Sequence, residues 1–506
     1  MRLMLLALVA GAASATGFAP LGLWPLTLAG FALLIAMLLS APRLRTAFGL
    51  GWWFGTGYFL VGLNWIATAF TFQAKMPHWL GWPGVLLVAM FMALYPAIAS
   101  AIAWRFGRAK PLAFVFLFAA AWIVSEYLRA ILLSGFAWNP LAAIATADID
   151  SASMISASTR LIGTYGLSGL FILISGALVL ILSRAGWKNW SAALAVPVTA
   201  TVAGALAMIG EPSATENQPA IRVIQPNINQ NEKWDPELAA RNFARLTERT
   251  GETGDRPRLI FWPEAAVPDY IEDDPIARIR IARLLGREDV LLLGASKLIF
   301  EDTPDGRRRV VAAHNSFYAM DDTARFLGRY DKAHLVPYGE YLPMRPLLEA
   351  IGLSRLAPGA LDFLPGPGPT TIDLGAFGEV GGQICYEIVF SGEVIDAANR
   401  PDFLFNPSND AWFGAWGPPQ HLAQARLRAI EEAMPIIRST PTGISAVIDS
   451  QGHVRSHLPF RQAGTIDDTL PPPGAPTLFS RLGNWLPILF ATLLAGLAFA
   501  IARRPR

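Results

Sequence analysis

The chain has 506 residues, of which 53% are hydrophobic and 16% are charged, and its mean hydropathy is +0.37. This composition is too apolar for a soluble globular protein of this length and predicts a membrane protein. The formal net charge of +2 says little about partners. No part of the sequence resembles a basic nucleic-acid-binding face, so no nucleic-acid partner is expected.

Several apolar stretches are long enough to cross a bilayer, which takes about 20 residues of helix. Eight of them lie at 3–19, 22–40, 50–71, 84–104, 111–129, 162–183, 190–209 and 483–502. The first also resembles a cleavable signal peptide, because Arg2 precedes its apolar run and small residues follow it. A second apolar stretch follows almost at once, which favours a retained helix. The sequence therefore predicts a transmembrane domain over 1–209 with seven helices and a C-terminal transmembrane helix over 483–502.

The short loops between these stretches predict the orientation. Basic residues fall in the loops 41–46, 105–110 and 184–188 and in the tail 503–506. Short cytoplasmic loops carry an excess of lysine and arginine, so these segments are expected on the cytoplasmic side. Both termini are then cytoplasmic, and residues 210–482 lie outside the cytoplasm.

The outer region has a different composition. A polar linker over 211–219 precedes it, and charged residues become frequent beyond the linker. Strand-like runs occur at 221–224, 259–262, 290–293, 316–320, 380–385, 403–405 and 444–448, with helical patterns at 236–250, 275–286 and 419–434. Alternating strands and helices indicate an α/β domain, here over 220–470.

Cys385 is the only cysteine, so it cannot form an internal disulfide. It follows a strand-like run, and a buried small residue is the ordinary role of such a cysteine. However, Glu264 and Lys332 precede it in the same domain, also near predicted strand ends. A thiol, a carboxylate base and a cation are the parts of an acyl-transfer site.

Two segments of the outer domain are unusually apolar. Residues 341–369 are rich in leucine and proline, and residues 411–417 place Trp416 and two other aromatic residues between glycines. Both segments could cover the core. Alternatively, they form a lid or arms that reach the membrane interface, where tryptophan is favoured.

Each of the three reactive residues stands in a short sequence motif, and the motifs follow one another in the order Glu, Lys, Cys. These are Trp262-Pro263-Glu264, Tyr330-Asp331-Lys332 and Cys385-Tyr386-Glu387, and together they resemble the nitrilase, or carbon-nitrogen hydrolase, superfamily. Further matching pieces are 225–228 followed by Lys233-Trp234, 336–341 and 406–414. With the eight predicted helices and Gly17-Phe18-Ala19-Pro20, the whole chain resembles the apolipoprotein N-acyltransferase family.

This resemblance implies a polytopic α-helical membrane domain joined to an extracytoplasmic αββα sandwich on the periplasmic face of a bacterial inner membrane. It also implies a ping-pong reaction in which Cys385 takes an acyl chain from a phospholipid, typically phosphatidylethanolamine. The thioester then passes the chain to the α-amino group of the diacylglyceryl-cysteine that begins an apolipoprotein.

The residue types support specific roles. Glu264 is the expected base, and Lys332 is expected to stabilise the oxyanion with a backbone N–H near Cys385 or Tyr386. A second group of residues is expected to support the site or bind substrate: Glu340, Tyr386, Glu387, Trp234 and Trp416. Glu340 could instead form an ordinary loop salt bridge, and Trp234 could be a core residue.

No metal and no cofactor are expected. The six histidines show no zinc-type spacing, and no cysteine pair exists. One alternative is a membrane-tethered amidohydrolase of the nitrilase type that uses water as the acceptor. Another is a transporter with an outer ligand-binding domain, although the predicted spans contain few charges, the clearest being Glu126 and Arg129.

Overall fold

We describe the protein from a computed structural model that covers residues 1–72, 77–210, 218–303, 307–350 and 362–503. Residues 211–217 of the predicted linker and residues 351–361 of the predicted lid lie outside these ranges. Within them, a helical region precedes a region of β-sheets and helices, and a long apolar helix ends the chain.

The first part of the chain forms helices whose side chains are mostly apolar. Their bounds are Arg2–Ser14 (α1), Trp24–Leu39 (α2), Leu44–Gly62 (α3), Ile66–Ala69 (α4), Gly81–Met92 (α5), Leu94–Gly107 (α6), Pro111–Ile131 (α7), Thr159–Leu182 (α8) and Trp187–Leu206 (α9). Glycines let α1 and α3 pack closely, because a Cβ atom at Gly11 or Gly57 would clash with the backbone of the other helix.

Five helical stretches in the described ranges are long and apolar enough to cross a membrane. They are His78–Gly107, Pro111–Ile131, Met154–Leu182, Trp187–Leu206 and Trp485–Arg503. Shorter apolar helices lie near the N-terminus, at Arg2–Gly17 and Trp24–Leu39. The presence of several apolar helices is confirmed, whereas the count of eight spans stays a prediction.

The predicted helix over 50–71 is wrong in its extent. Helix α3 begins six residues earlier than the prediction and ends at Gly62, and the short α4 follows after a turn. The Gly62 carbonyl accepts a hydrogen bond from the Asn139 side chain at 3.0 Å. This partner comes from a loop 77 positions away, so local sequence could not predict the end of the helix.

Two six-stranded sheets form the second region, within the described residues. The first contains, in spatial order, β12 (Gly464–Thr469), β1 (Ala220–Gln225), β2 (Arg258–Phe261), β3 (Val290–Asp302), β4 (Arg308–Asp321) and β5 (Phe326–Asp331). The second contains β11 (Val454–Leu458), β10 (Ser445–Ile448), β9 (Ile436–Ser439), β8 (Phe403–Pro407), β7 (Glu379–Gly382) and β6 (Thr371–Asp373). Strands β1–β2–β3 and β7–β8–β9 run parallel, and the other neighbours are antiparallel.

The sheets pack face to face through aromatic side chains. The ring of Phe405 lies 5.1 Å from that of Phe261 and 5.2 Å from that of Phe317, centroid to centroid. These separations are typical of favourable aromatic pairs. The predicted α/β architecture of this region is confirmed, with its core between two sheets.

Helices α11, α12 and α14 cover the outer faces of the sheets. The helices of the chain after residue 218 are Gln230–Lys233 (α10), Ala239–Thr250 (α11), Pro275–Ala282 (α12), Arg345–Ala350 (α13), Gly417–Glu432 (α14), Leu478–Leu482 (α15) and Trp485–Arg503 (α16). Helix α16 packs against α7 and α8. Leu246 of α11 and Ile281 of α12 pack in one buried cluster with Ile260 of β2. Helix α14 covers the second sheet, and almost all of its residues are buried.

Helix α14 is buried on both sides because α8 and the segment between α7 and α8 pack against it. Gln420 accepts a hydrogen bond from Trp138 Nε1 at 2.9 Å, and Gln424 accepts one from Asn139 N at 3.1 Å. Arg426 donates to the Thr146 carbonyl at 3.0 Å. The membrane helices and the sheets are therefore joined by a shared internal helix.

Candidate active site

Glu264 follows the carboxyl end of β2, where parallel strands of α/β sheets commonly place functional groups. Its side chain is only 7% exposed. Oε1 accepts a hydrogen bond from Asn315 Nδ2 at 2.7 Å, and Oε2 accepts one from the backbone N–H of Asn409 at 2.6 Å. A carboxylate held by two donors has a fixed orientation, as a general base requires.

Lys332 follows β5 directly and is buried. Its side-chain Nζ lies 2.9 Å from Glu340 Oε2, and its backbone N–H donates to the Asn315 carbonyl at 2.8 Å. Burial alone would lower the pKa of Lys332, but the charge of Glu340, with smaller effects of Cys385 and Glu264, raises the pKa above its ordinary value. Lys332 is therefore a fixed positive charge, and Glu340 is its ion-pair partner.

Cys385 begins a short 3₁₀ helix that ends at Val389. The predicted strand over 380–385 ends earlier, at Gly382, because the chain turns into this helix. Cys385 is buried and has φ 54°, a left-handed conformation that costs a residue other than glycine about 1–3 kcal/mol. Such strain persists only where surrounding contacts hold it, and it is common at active sites.

The electrostatics of Cys385 couple it to the other two residues. Burial raises the pKa of the Cys385 thiol, and the charge of Glu264 raises the pKa further. Lys332 and a hydrogen bond with Ser408 act in the opposite direction but do not cancel these effects. The raised pKa favours the thiol over the thiolate. The structure brings together the predicted Glu264, Lys332 and Cys385.

Asn315 connects the carboxylates, and the sequence analysis missed it. The same Nδ2 group donates to Glu264 Oε1 at 2.7 Å and to Glu340 Oε1 at 2.9 Å. Glu340 also accepts from the backbone N–H of Val336 at 2.8 Å. The alternative of an ordinary loop salt bridge for Glu340 is wrong, because its carboxylate belongs to the buried network around Lys332.

Glu387 holds the backbone on both sides of the site. Its Oε1 accepts from Tyr330 Oη at 2.8 Å and from the N–H groups of Ala333 and His334 at 2.7 and 3.0 Å. Its Oε2 accepts from Ile384 N at 2.6 Å. Burial raises the pKa of Glu387 to about 7, against the lowering effect of these hydrogen bonds. Glu387 thus ties the segment after Lys332 to the residue before the cysteine.

Tyr386 faces the membrane helices. Its hydroxyl lies 3.4 Å from the Gly135 carbonyl, and its ring stacks on that of Trp138 at 6.4 Å. Both partners belong to the loop after α7. The predicted supporting role is therefore a packing role towards the membrane domain.

Lys233 is a second buried cation at the site. The sequence predicted no role for it beyond its place in the Lys233-Trp234 motif. Its Nζ donates to the Glu264 carbonyl at 2.7 Å. Burial lowers the pKa of Lys233 to about 8, against the charges of Glu264 and Cys385. The neighbouring Trp234 is 50% exposed, so the core alternative for it is wrong. Its role in lining a substrate pocket stays a prediction.

The aromatic segment 411–417 packs against the membrane helices. The ring of Trp412 lies 5.2 Å from that of Phe72, and the ring of Phe413 lies 4.8 Å from that of Trp65. Trp416 is partly buried against the main core. This contact places the segment beside the membrane domain, and its role in gating stays a prediction.

The charged pair in α7 supports the fold. Glu126 Oε1 accepts hydrogen bonds from Trp122 Nε1 at 3.0 Å and from Leu141 N at 2.8 Å. Arg129 donates to the carbonyls of Phe136 and Trp138 at 2.9 and 2.7 Å. Both side chains therefore stabilise, through hydrogen bonds, the loop that contacts Tyr386.

A buried Glu–Lys–Cys constellation on paired sheets, joined to apolar helices, defines a membrane-anchored enzyme of the carbon-nitrogen hydrolase class. Residues 220–474 match the family model described as carbon-nitrogen hydrolase, and residues 10–177 match that of the apolipoprotein N-acyltransferase N-terminal domain. The chain belongs to the apolipoprotein N-acyltransferase family.

Curated relatives support this membership over the full length. The protein named apolipoprotein N-acyltransferase of Rhodopseudomonas palustris is 35% identical, over 99% of this chain and 95% of its own. The protein of that name from Bradyrhizobium diazoefficiens is 34% identical over the same shares. A third, from Brucella melitensis, is 34% identical over 90% of this chain and 85% of its own.

Proposed function

We propose that this enzyme transfers an acyl chain from a phospholipid, through a thioester on Cys385, to the α-amino group of the diacylglyceryl-cysteine that begins an apolipoprotein. This is the last step of lipoprotein maturation. The single observation that carries the proposal is the buried contact network around Glu264, Lys332 and Cys385 in a chain of this family. Phosphatidylethanolamine is the proposed donor.

In the first half-reaction, the Cys385 sulfur attacks the ester carbonyl carbon of the phospholipid. Glu264 takes the thiol proton, because the raised pKa of the thiol leaves little thiolate in the resting site. Lys332, together with a backbone N–H at the start of the 3₁₀ helix, stabilises the oxyanion. The carbon–oxygen bond then breaks, and the lyso-phospholipid oxygen leaves with the proton from Glu264.

In the second half-reaction, the free amine of the acceptor attacks the thioester carbonyl. Glu264 accepts a proton from the attacking nitrogen and returns a proton to the departing sulfur. The product is an amide, which is more stable than the thioester, so this transfer is favourable. Water must be kept from the acyl-enzyme, and the buried position of Cys385 supports this requirement.

The proposed location follows from the substrates and from the loop charges. Both the donor and the acceptor are anchored in a bilayer, so the sheets should lie at its surface. The basic short loops favour a periplasmic catalytic domain on the inner membrane, with both termini in the cytoplasm. Trp416 and the described parts of the apolar segment, 341–350 and 362–369, are proposed to contact lipid near the site.

The experiment that tests this function supplies purified protein with phospholipid carrying a labelled acyl chain and with a synthetic diacylglyceryl-cysteinyl peptide. We expect the label to appear in an amide at the peptide amino group. Label released only as fatty acid would instead identify a hydrolase. Label that remains in the phospholipid would contradict any acyl transfer, and repeating the assay with different headgroups identifies the donor.

A further inference from the structure

His421 lies in helix α14 and contacts the main chain of the nucleophile. Its side chain is fully buried. Nε2 is 3.0 Å from the carbonyl oxygen of Cys385, and Nδ1 is 3.0 Å from Asp410 Oδ1. Arg438 Nη2 also lies 3.0 Å from Nδ1. The imidazole therefore connects Cys385 to a buried charged pair.

The contacts define which nitrogen carries the proton. A carbonyl oxygen only accepts hydrogen bonds, so Nε2 must be the donor to Cys385. Asp410 already accepts from Arg438 at 2.6 Å and from Ser408 Oγ at 2.7 Å, and Arg438 can donate to Nδ1. Burial and the neighbouring Arg438 charge lower the pKa of His421. Nδ1 faces the donor Arg438 Nη2 and the acceptor Asp410 Oδ1, so a neutral imidazole accepts there from Arg438 and a protonated one donates there to Asp410. Nε2 carries a proton in both forms, and its hydrogen bond to the Cys385 carbonyl is therefore the same in either.

Two side chains then hold the main chain before and after Cys385. Glu387 Oε2 accepts from the N–H of Ile384, the residue before the cysteine, and His421 Nε2 donates to the carbonyl of Cys385 itself. Between these two contacts the backbone has the left-handed φ of 54°. A strained conformation of this kind requires contacts that over-determine it.

We infer that His421 is a positioning residue, which holds the Cys385 carbonyl by a hydrogen bond from Nε2 and thereby fixes the direction of the thiol. This role rests on the proposed function of Cys385 as the nucleophile. The membrane domain takes part through Trp138, whose ring lies 5.1 Å from the His421 ring and whose Nε1 donates to the adjacent Gln420. The loop after α7 thus supports the residue that holds the nucleophile.

The test compares His421→Gln with His421→Met. The two new side chains have similar length and volume, but only glutamine places a donor where Nε2 lies. The acylation of Cys385 is followed with a soluble p-nitrophenyl ester, and kcat, KM and the melting temperature are measured. The control is Gln424→Met, which removes a buried hydrogen bond between α14 and the membrane loop without a contact to Cys385.

We expect His421→Met to lower kcat by about 10- to 100-fold with little change in KM, since a buried carbonyl loses its donor. His421→Gln should restore most of that loss, and Gln424→Met should keep the kcat of the unchanged protein. Should His421→Met fail to fold, His421→Asn replaces it, because asparagine reaches Asp410 but is too short to reach the Cys385 carbonyl.

Equal kcat values for His421→Gln and His421→Met would overturn the inference. It would also be overturned if kcat fell in all variants, including Gln424→Met, in proportion to the fall in melting temperature. The Cys385→Ala variant separates this failure from that of the proposed function. If Cys385→Ala still turns over the ester, the nucleophile assignment is wrong, whereas an inactive Cys385→Ala beside a fully active His421→Met refutes only the positioning role.

Discussion

The ammonium group of Lys233 donates a hydrogen bond of 2.7 Å to the main-chain carbonyl of Glu264. The Glu264 carboxylate is held separately, by Asn315 and by the backbone N–H of Asn409. Backbone and side chain of the proposed base are therefore fixed by different partners. Because these partners come from three other parts of the chain, the position of the base depends on the packing of both sheets.

Lys233→Met should lower kcat of the acylation step by about 10- to 100-fold, because it leaves the buried Glu264 carbonyl without a donor. Steady-state kinetics with a soluble ester measures this effect. Lys297→Met is the control, since Lys297 pairs with Glu272 and not with the site. The same loss in both variants would show that the effect is general destabilisation.

Glu264→Gln and Lys332→Met should change the reactivity of the Cys385 thiol in opposite directions. The Glu264 charge raises the thiol pKa and the Lys332 charge lowers it. At a fixed pH near 8, Glu264→Gln should therefore increase the thiolate fraction and the rate of alkylation by iodoacetamide. Lys332→Met should decrease both. Cys385 is the only cysteine, so intact-mass measurement reports this reaction alone.

Acyl transfer should fall in both of these variants, by about 10²–10⁴-fold, because one lacks the base and the other the oxyanion partner. Faster alkylation with slower turnover in Glu264→Gln would distinguish the base from a merely electrostatic neighbour. Near-normal turnover in either variant would remove that residue from the mechanism.

The orientation of the chain is tested with reporter fusions. A periplasm-dependent reporter joined near residue 300 should be active, because the basic loops predict that this region lies outside the cytoplasm. The same reporter joined in the loop 184–188 should be inactive. Activity confined to the loop fusion would contradict the predicted topology.

Trp416→Ala should impair turnover of membrane phospholipid more than turnover of a short soluble ester. Burial of an aromatic side chain contributes about 1.5–3 kcal/mol, so loss of one lipid contact should weaken phospholipid use by about tenfold or more. Both rates and the melting temperature are measured. An equal loss on both substrates, with a lower melting temperature, would identify Trp416 as a packing residue only.

The sequence predicted Glu264, Lys332 and Cys385 because each stands in a short local motif close to a strand end. It did not predict Asn315, which stands between His314 and Ser316 inside a long strand and meets Glu264 and Glu340 only after the sheet forms. His421 was one of six histidines, and its contact with the Cys385 carbonyl spans 36 positions. Contacts between residues that are distant in the chain leave no local pattern, so the sequence did not predict them.

The sequence also predicted the fold only in part. The strand-like runs identified the α/β region because buried parallel strands are short apolar runs. The end of α3 was missed, because the Asn139 side chain that binds the Gly62 carbonyl comes from a distant loop. Apolar composition located the membrane helices, but it did not reveal that α14 is buried between these helices and the second sheet.

Intact-mass spectrometry after exposure of the purified protein to phospholipid tests the central claim most directly. The account predicts a population heavier by one acyl group, with the added mass located on Cys385 and removed by hydroxylamine or by the acceptor peptide. Cys385→Ala should gain no such mass and should transfer no acyl chain. Transfer by Cys385→Ala, or transfer by the unchanged protein through a residue other than Cys385, would contradict the account.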